Sequence, residues 1–136
     1  AATAVEHLTD IAGVRVICYY LDDVYRVADM LLKQDDVVLL ERVDYIETPK
    51  ENGYRSLHLV VQVPVFLSQS RERVAVEVQL RTVSMDYWAS AEHQLTYKRE
   101  GAARDKLARE LLECAEEYHI LDMKMQMLRR KAKSEE

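Results

Sequence analysis

The chain is poor in the residues that interrupt or crosslink a fold. Its 136 residues include only 3 glycines, 2 prolines and 2 cysteines. Cys18 sits in an apolar run and Cys114 in a helical one, with no CxxC, so they read as two reduced thiols of an intracellular protein. No apolar run approaches the ~18 residues of a membrane span and no signal-like start exists. The expectation is therefore a soluble, cytoplasmic protein without a membrane partner. Net positive charge is lacking as well. With 19 basic and 24 acidic residues the balance is −5, which argues against a non-specific DNA or RNA binder. Any anionic ligand has to be held by local basic residues. There is no GxxxxGK[ST] and no GxGxxG, so neither a P-loop nor a Rossmann site is expected. What remains, 49% apolar and 32% charged residues, is the composition of one folded, helix-rich globular domain with a single core.

What the sequence does have is alternation. Across Arg73-Val-Ala-Val-Glu-Val-Gln-Leu-Arg-Thr82, Val74, Val76, Val78 and Leu80 alternate with Ala75, Glu77, Gln79 and Arg81. A period of two marks a strand with one face in a core. Its other face then carries Glu77, Gln79 and Arg81 at i, i+2 and i+4. Two readings fit a glutamate flanked by valines. Glu77 and Arg81 pair across the pleat of a solvent-facing strand, or a rigid element holds the carboxylate for metal or proton work.

Ahead of this stretch, residues 1–9 read as the tail of a helix that delivers Asp10 to a strand entrance. Gly13 starts a first strand running to Tyr20, apolar enough to predict a central place in the sheet. Asp22-Asp23 predicts an N-cap and first-turn acids for a helix to about Gln34, striped by Val24, Val27, Met30 and Leu31. A second strand is predicted over 37–46, a polar loop over 47–53, a third strand over 56–65 and a hairpin connection over 68–72. After Thr82 the period becomes helical. Met85, Trp88, Ala89, Glu92 and Leu95 share a face, and Gly101 is expected to end that helix. A last helix from about Arg104 carries Leu107, Leu111, Cys114, Tyr118, Leu121, Met125 and Leu128 in a long stripe. It either covers the sheet or meets a helix of another subunit. The expected division is a core over residues 1–103 and a C-terminal helix, an oligomerisation element, over 104–136.

The segment Lys50-Glu-Asn-Gly-Tyr-Arg-Ser-Leu-His58 gathers a Lys, an Arg and a His around one aromatic. Lys50 and Arg55 suit phosphate oxygens, as a point charge and a bidentate fork. Tyr54 offers a flat face to a base, and Gly53 lets the backbone approach a ligand. A solvated loop with a satisfied core histidine fits the same residues. Asp10 alone reads as a cap or an exposed acid. Two carboxylates from separate elements, Asp10 and Glu77, would be the smallest cage for Mg²⁺, which takes one or two carboxylates plus substrate phosphates. Glu92, His93, Tyr97 and Lys98 stand between a site wall and surface pairs.

The order of four segments is more specific than any one of them. Asp10-Ile-Ala-Gly-Val-Arg15, Lys50-x-x-Gly-Tyr-Arg-Ser-x-His58, Val76-Glu-Val-Gln-Leu-Arg-Thr82 and Trp88-Ala-x-x-Glu-His-x-x-x-Tyr-Lys98 closely resemble the synthetase domain of RelA/SpoT-type alarmone synthetases. The resemblance is strongest to the small single-domain enzymes, covers essentially the whole chain from Asp10, and extends to the final helices. It implies an α/β, nucleotidyltransferase-like mixed sheet flanked by helices, with a long C-terminal helical segment. It also implies Mg²⁺-dependent transfer of the β,γ-pyrophosphate of ATP to the 3′-hydroxyl of GDP or GTP, making the (p)ppGpp of the stringent response.

Carried over residue by residue, the resemblance makes Asp10 and Glu77 the Mg²⁺ ligands and Glu77 the base for the 3′-hydroxyl. Tyr54 would stack on guanine, with Ala89 leaving the ring room. Lys50, Arg55 and His58 would hold phosphates, and Gln79 the acceptor ribose. Arg15, Asn52, His93 and Lys98 follow as further nucleotide or phosphate contacts. The implied assembly is a homo-oligomer, a tetramer in the family. The family's basic ATP-binding stretch ahead of the aspartate is missing, since only His7 there carries any basic character; either an N-terminal portion lies beyond this sequence, which is the favoured expectation, or this homologue has lost ATP binding. Two rivals remain: a relative that pyrophosphorylates tRNA 3′ ends, and a catalytically silent guanine-nucleotide sensor that works through its oligomeric helices.

Overall fold

The computed structural model describes residues 12–135, so Asp10 and the helix tail expected before it lie outside the described residues. The chain runs β1 (Ala12–Cys18), α1 (Leu21–Leu32), β2 (Val38–Asp44), β3 (Leu57–Phe66), β4 (Arg71–Thr82), α2 (Val83–Thr96) and α3 (Gly101–Ser134). The strands form one mixed sheet in the order β1-β4-β3-β2, with β1 parallel to β4 and the other pairs antiparallel. This is the α/β class with a long C-terminal helix that the sequence predicts.

The alternation in β4 does what its period requires. Val78 and Leu80 turn to a core shared with Leu57, Leu59 and Val61 of β3 and with Val24 and Ala28 of α1. The opposite face carries Glu77, Gln79 and Arg81, with Gly13 and Arg15 of β1 beside the first two and His58 of β3 beside Gln79. β4 is thus one of the two interior strands, and it positions the polar face.

β1 is not central. It lies at the edge of the sheet, and Val14 and Ile17 are 50% and 43% exposed. Its run is apolar on both sides because it touches α1 and also α2. A strand between two helical layers needs apolar residues on both faces whether or not a strand lies on each flank.

The helix ends also differ from expectation. α1 is preceded by Tyr20, which gives no side-chain cap, while Asp22 and Asp23 fall inside the first turn. The free backbone N–H of Asp22 donates instead to Gln126 Oε1 of α3 at 2.9 Å, and Gln126 is buried for that purpose. The two acids take Arg130 and Arg129 of α3 at 2.7 and 2.6 Å. Within α1, Ala28 occupies the buried stripe and Met30 is exposed.

α2 is capped by Thr82, whose hydroxyl accepts from the Met85 N–H. Its buried face is Met85, Trp88 and Thr96, and Leu95 points outward. Gly101 does not end this helix. Lys98 takes the left-handed conformation after it (φ 58°), and Gly101 (φ 72°) opens α3.

α3 is 34 residues long and begins at Gly101 rather than near Arg104. Trp88 Nε1 of α2 donates to the Leu111 carbonyl at 2.7 Å, and Trp88, Leu111 and Ala115 form a second small core. Further along, the inward positions are Asp122, Gln126 and Arg129, each making the contacts of a clasp. The predicted stripe is therefore split. Leu111 is buried, but Cys114, Leu121, Met125 and Leu128 are exposed. No helix among the described residues is long and apolar enough to cross a membrane.

Candidate active site

The polar face of β4 is a connected network rather than a row of solvated charges. Gln79 Nε2 donates to Glu77 Oε1 at 3.1 Å, and Arg81 Nη2 donates to Gln79 Oε1 at 2.6 Å. The same Nη2 donates to Tyr54 Oη at 2.6 Å, and Tyr54 Oη lies 2.9 Å from His58 Nε2. His58 Nδ1 is 3.9 Å from Glu77 Oε1, which closes the circuit. The simple Glu77–Arg81 pair across the pleat does not form, because Gln79 stands between them. Burial pushes the His58 pKa down, against the upward pull of Glu77.

Around the circuit, Tyr45 meets the Tyr54 and His58 rings edge-on at 6.1 and 5.1 Å. Lys50 Nζ lies over both tyrosines, 4.9 Å from the Tyr45 centroid and 5.2 Å from that of Tyr54. Tyr54 and Ala89 both pack against the Trp88 cluster. An open cleft lined by Gly13, Val14, Arg15, Glu77 and Gln79 runs along the β1–β4 junction. A second, lined by Arg15, Arg81, Ala89, Ser90, His93 and Gln94, continues toward α2. Asp86, in the first turn of α2, lies between two guanidiniums, 3.3 Å from Arg15 and 3.4 Å from Arg81.

Several predicted residues are placed elsewhere. Arg55 turns from this face and donates Nη1 to the Ile46 carbonyl at 2.6 Å. It lines a small cavity with Ser84, Trp88, His119 and Asp122. Asn52 makes a local turn, its Oδ1 accepting from the Tyr54 N–H at 3.0 Å. Gly53 (φ 103°) is required by the helix packed on it, since a Cβ there would meet that of Ala115 at 2.8 Å. A close approach was expected at this glycine, but its neighbour is α3 and not a ligand. Lys98 lies over Tyr97, 5.4 Å from the ring centroid, and none of the bonds of the Glu77 circuit reaches it. His93, tilted on Tyr97 at 5.3 Å, lines the second cleft. The sequence reading passed over Arg81, Asp86 and Tyr45 as site members. Arg81 stood in the i+4 position from Glu77, which was the available signal.

Among the described residues no group of three His, Cys, Asp or Glu side chains could hold a metal. The donor chemistry still fits Mg²⁺. Glu77 is 40% exposed at the cleft with Oε1 engaged by Gln79, and Mg²⁺ characteristically takes one or two carboxylates with substrate phosphates and water completing its shell.

The cleft thus sets a polar circuit on an interior strand of a mixed sheet beside an aromatic and a lysine. Residues 1–102 match the model of the region found in RelA / SpoT proteins, and the chain belongs to the RelA/SpoT family. It is 48% identical over 120 residues to GTP pyrophosphokinase YwaC of Bacillus subtilis (strain 168), covering 88% of this chain. The chain spans 57% of that relative's length. The crystal structure of small alarmone synthetase 2 from Bacillus subtilis matches with TM-score 0.85 at 45% identity, over 93% of this chain and 70% of that one. The structure of small alarmone synthetase 1 from Bacillus subtilis bound to its product pppGpp matches with TM-score 0.83 at 37% identity, over 96% and 67%.

Proposed function

We propose that this chain provides the acceptor side of a GTP pyrophosphokinase, which moves the β,γ-pyrophosphate of ATP to the 3′-hydroxyl of GDP or GTP and so makes (p)ppGpp. The observation that carries this reading is the circuit that links Arg81, Tyr54, His58 and Gln79 to the Glu77 carboxylate at an open cleft. A relative named for this activity and a neighbour bound to pppGpp support it. Pyrophosphoryl transfer asks a protein for positioning and charge neutralisation more than for covalent help. Tyr54 stacks on guanine beside Ala89. Lys50, over the Tyr54 ring, meets acceptor phosphates. Gln79 contacts the acceptor ribose, and Glu77 receives the 3′-hydroxyl.

Glu77, with Asp10, would hold Mg²⁺, which when bound neutralises charge on the transferred phosphates. A carboxylate shared with a metal is a weak base, so Glu77 acts chiefly by orienting the hydroxyl. The exposed row Leu121, Met125 and Leu128 on α3 is the face that joins copies of the chain into a homo-oligomer. The decisive experiment mixes full-length protein with ATP, Mg²⁺ and GDP or GTP. AMP and a 3′-pyrophosphorylated guanine nucleotide are expected. Neither appearing with correctly folded protein would sink the reading.

A further inference from the structure

Arg81 is the least expected charge in the fold, because only 3% of its side chain meets solvent, on an interior strand. A guanidinium in such a place needs partners for its donors. Nη2 has Tyr54 Oη and Gln79 Oε1, each at 2.6 Å, and Nη1 lies 3.4 Å from Asp86 Oδ1. Arginine donates through five N–H bonds, accepts none and stays charged. Its direction in each bond is fixed, and that fixes the direction of every bond behind it.

One arm runs through Gln79. Its Oε1 must face Arg81, so its Nε2 turns to Glu77 and donates to Oε1. The other arm runs through Tyr54. Its oxygen accepts from Arg81, and among the described hydrogen bonds His58 Nε2, at 2.9 Å, is the one acceptor within reach of its single proton. A ring nitrogen that accepts carries no proton, so a neutral His58 is the Nδ1–H tautomer. That Nδ1 lies 3.9 Å from the same oxygen, Glu77 Oε1.

We propose that Arg81 is a positioning residue that sets the polarity of both arms, so that Gln79 donates to Oε1 of Glu77, the His58 Nδ1–H faces that same oxygen from 3.9 Å, and Oε2 is left as the oxygen that meets the acceptor hydroxyl. The wiring stands on geometry alone, and only the identity of the hydroxyl rests on the function proposed above. His58 then presents an N–H to Glu77 and no vacant ring nitrogen, because Nδ1 is already filled.

The test uses full-length protein labelled with ¹⁵N-histidine, in which long-range NMR correlations report the His58 tautomer. Wild type should show Nδ1–H. Arg81→Met should release the ring toward the other tautomer. Tyr54→Phe, which removes only the hydroxyl and spares the buried strand, should do the same and carries the test if Arg81→Met does not fold. In the product assay both should lower kcat, by about 10–100-fold, with a much smaller change in KM for the guanine nucleotide. Arg81→Lys, which keeps a donor, should recover part of the loss. An Nε2–H ring in wild type, or a tautomer indifferent to Tyr54→Phe, overturns the wiring. A changed tautomer with unchanged kcat overturns the positioning role. If wild type makes no product at all, the proposed function fails, and the spectrum still decides the wiring.

Discussion

Along β4, alternate side chains meet two different kinds of neighbour. Val78 and Leu80 meet aliphatic side chains of β3 and α1, while Glu77, Gln79 and Arg81 meet one another, Tyr54 and His58. Attraction on the first face is non-directional and scales with area, so a neighbour of similar volume is tolerated. On the second face each bond depends on the direction of the next, and one missing donor alters the whole circuit. The apolar face should therefore govern stability and the polar face activity.

Substitutions on opposite faces of this strand put that division at risk. The largest effect is expected from Glu77→Gln, which keeps shape and removes charge. Turnover should fall by at least about a hundredfold while the unfolding midpoint barely moves. Activity within a few-fold of wild type would make Glu77 an ordinary surface acid. Three residues further along, Leu80→Ala opens the fully buried face and should cost about 2–5 kcal/mol in urea unfolding. Activity per folded molecule should hold, and a parallel loss of kcat would erase the distinction between the faces.

Tyr54→Ala should weaken guanine-nucleotide binding by roughly 1–3 kcal/mol in calorimetry if one stacked base is lost. ATP binding should change much less, and equal losses would place Tyr54 elsewhere. The smallest effect on the single chain is expected from Leu121→Lys with Met125→Lys, since both side chains are already exposed. Stability should stay within about 0.5 kcal/mol while the mass by light scattering drops. A wild-type protein that is already a monomer refutes the oligomer.

Local patterns were legible in the sequence, and long-range neighbours were not. The period of β4, the strands on either side of the hairpin and the switch to helix after Thr82 each follow from residues close in the chain. β1 was misplaced because an apolar run reports what lies above and below a strand and not what lies beside it. Lys50, Tyr54, His58, Glu77 and Gln79 were found as candidates and do come together. Arg55 does not join them, because Gly53 draws its loop onto α3 and the guanidinium reaches Ile46. The α3 stripe was read from apolar residues, yet the inward face in its second half is Asp122, Gln126 and Arg129. Those polar side chains are held inward by partners roughly a hundred residues upstream or, for Asp122, about forty, which no periodicity reports.

Asp122 has a mechanical consequence. Its Oδ2 accepts from the hydroxyls of Thr82 and Ser84 at 2.7 and 2.6 Å, and Thr82 is both the final residue of β4 and the cap of α2. A single carboxylate therefore moors the exit of the site strand to the helix that displays the outward apolar row. Near its far end α3 is tied again, by Arg129 to Asp23. α3 is thus a lever fastened at several points along its length, and the fastening at Thr82 is a residue away from Arg81. It cannot roll or slide without either breaking that fastening or tugging on the strand that carries Glu77.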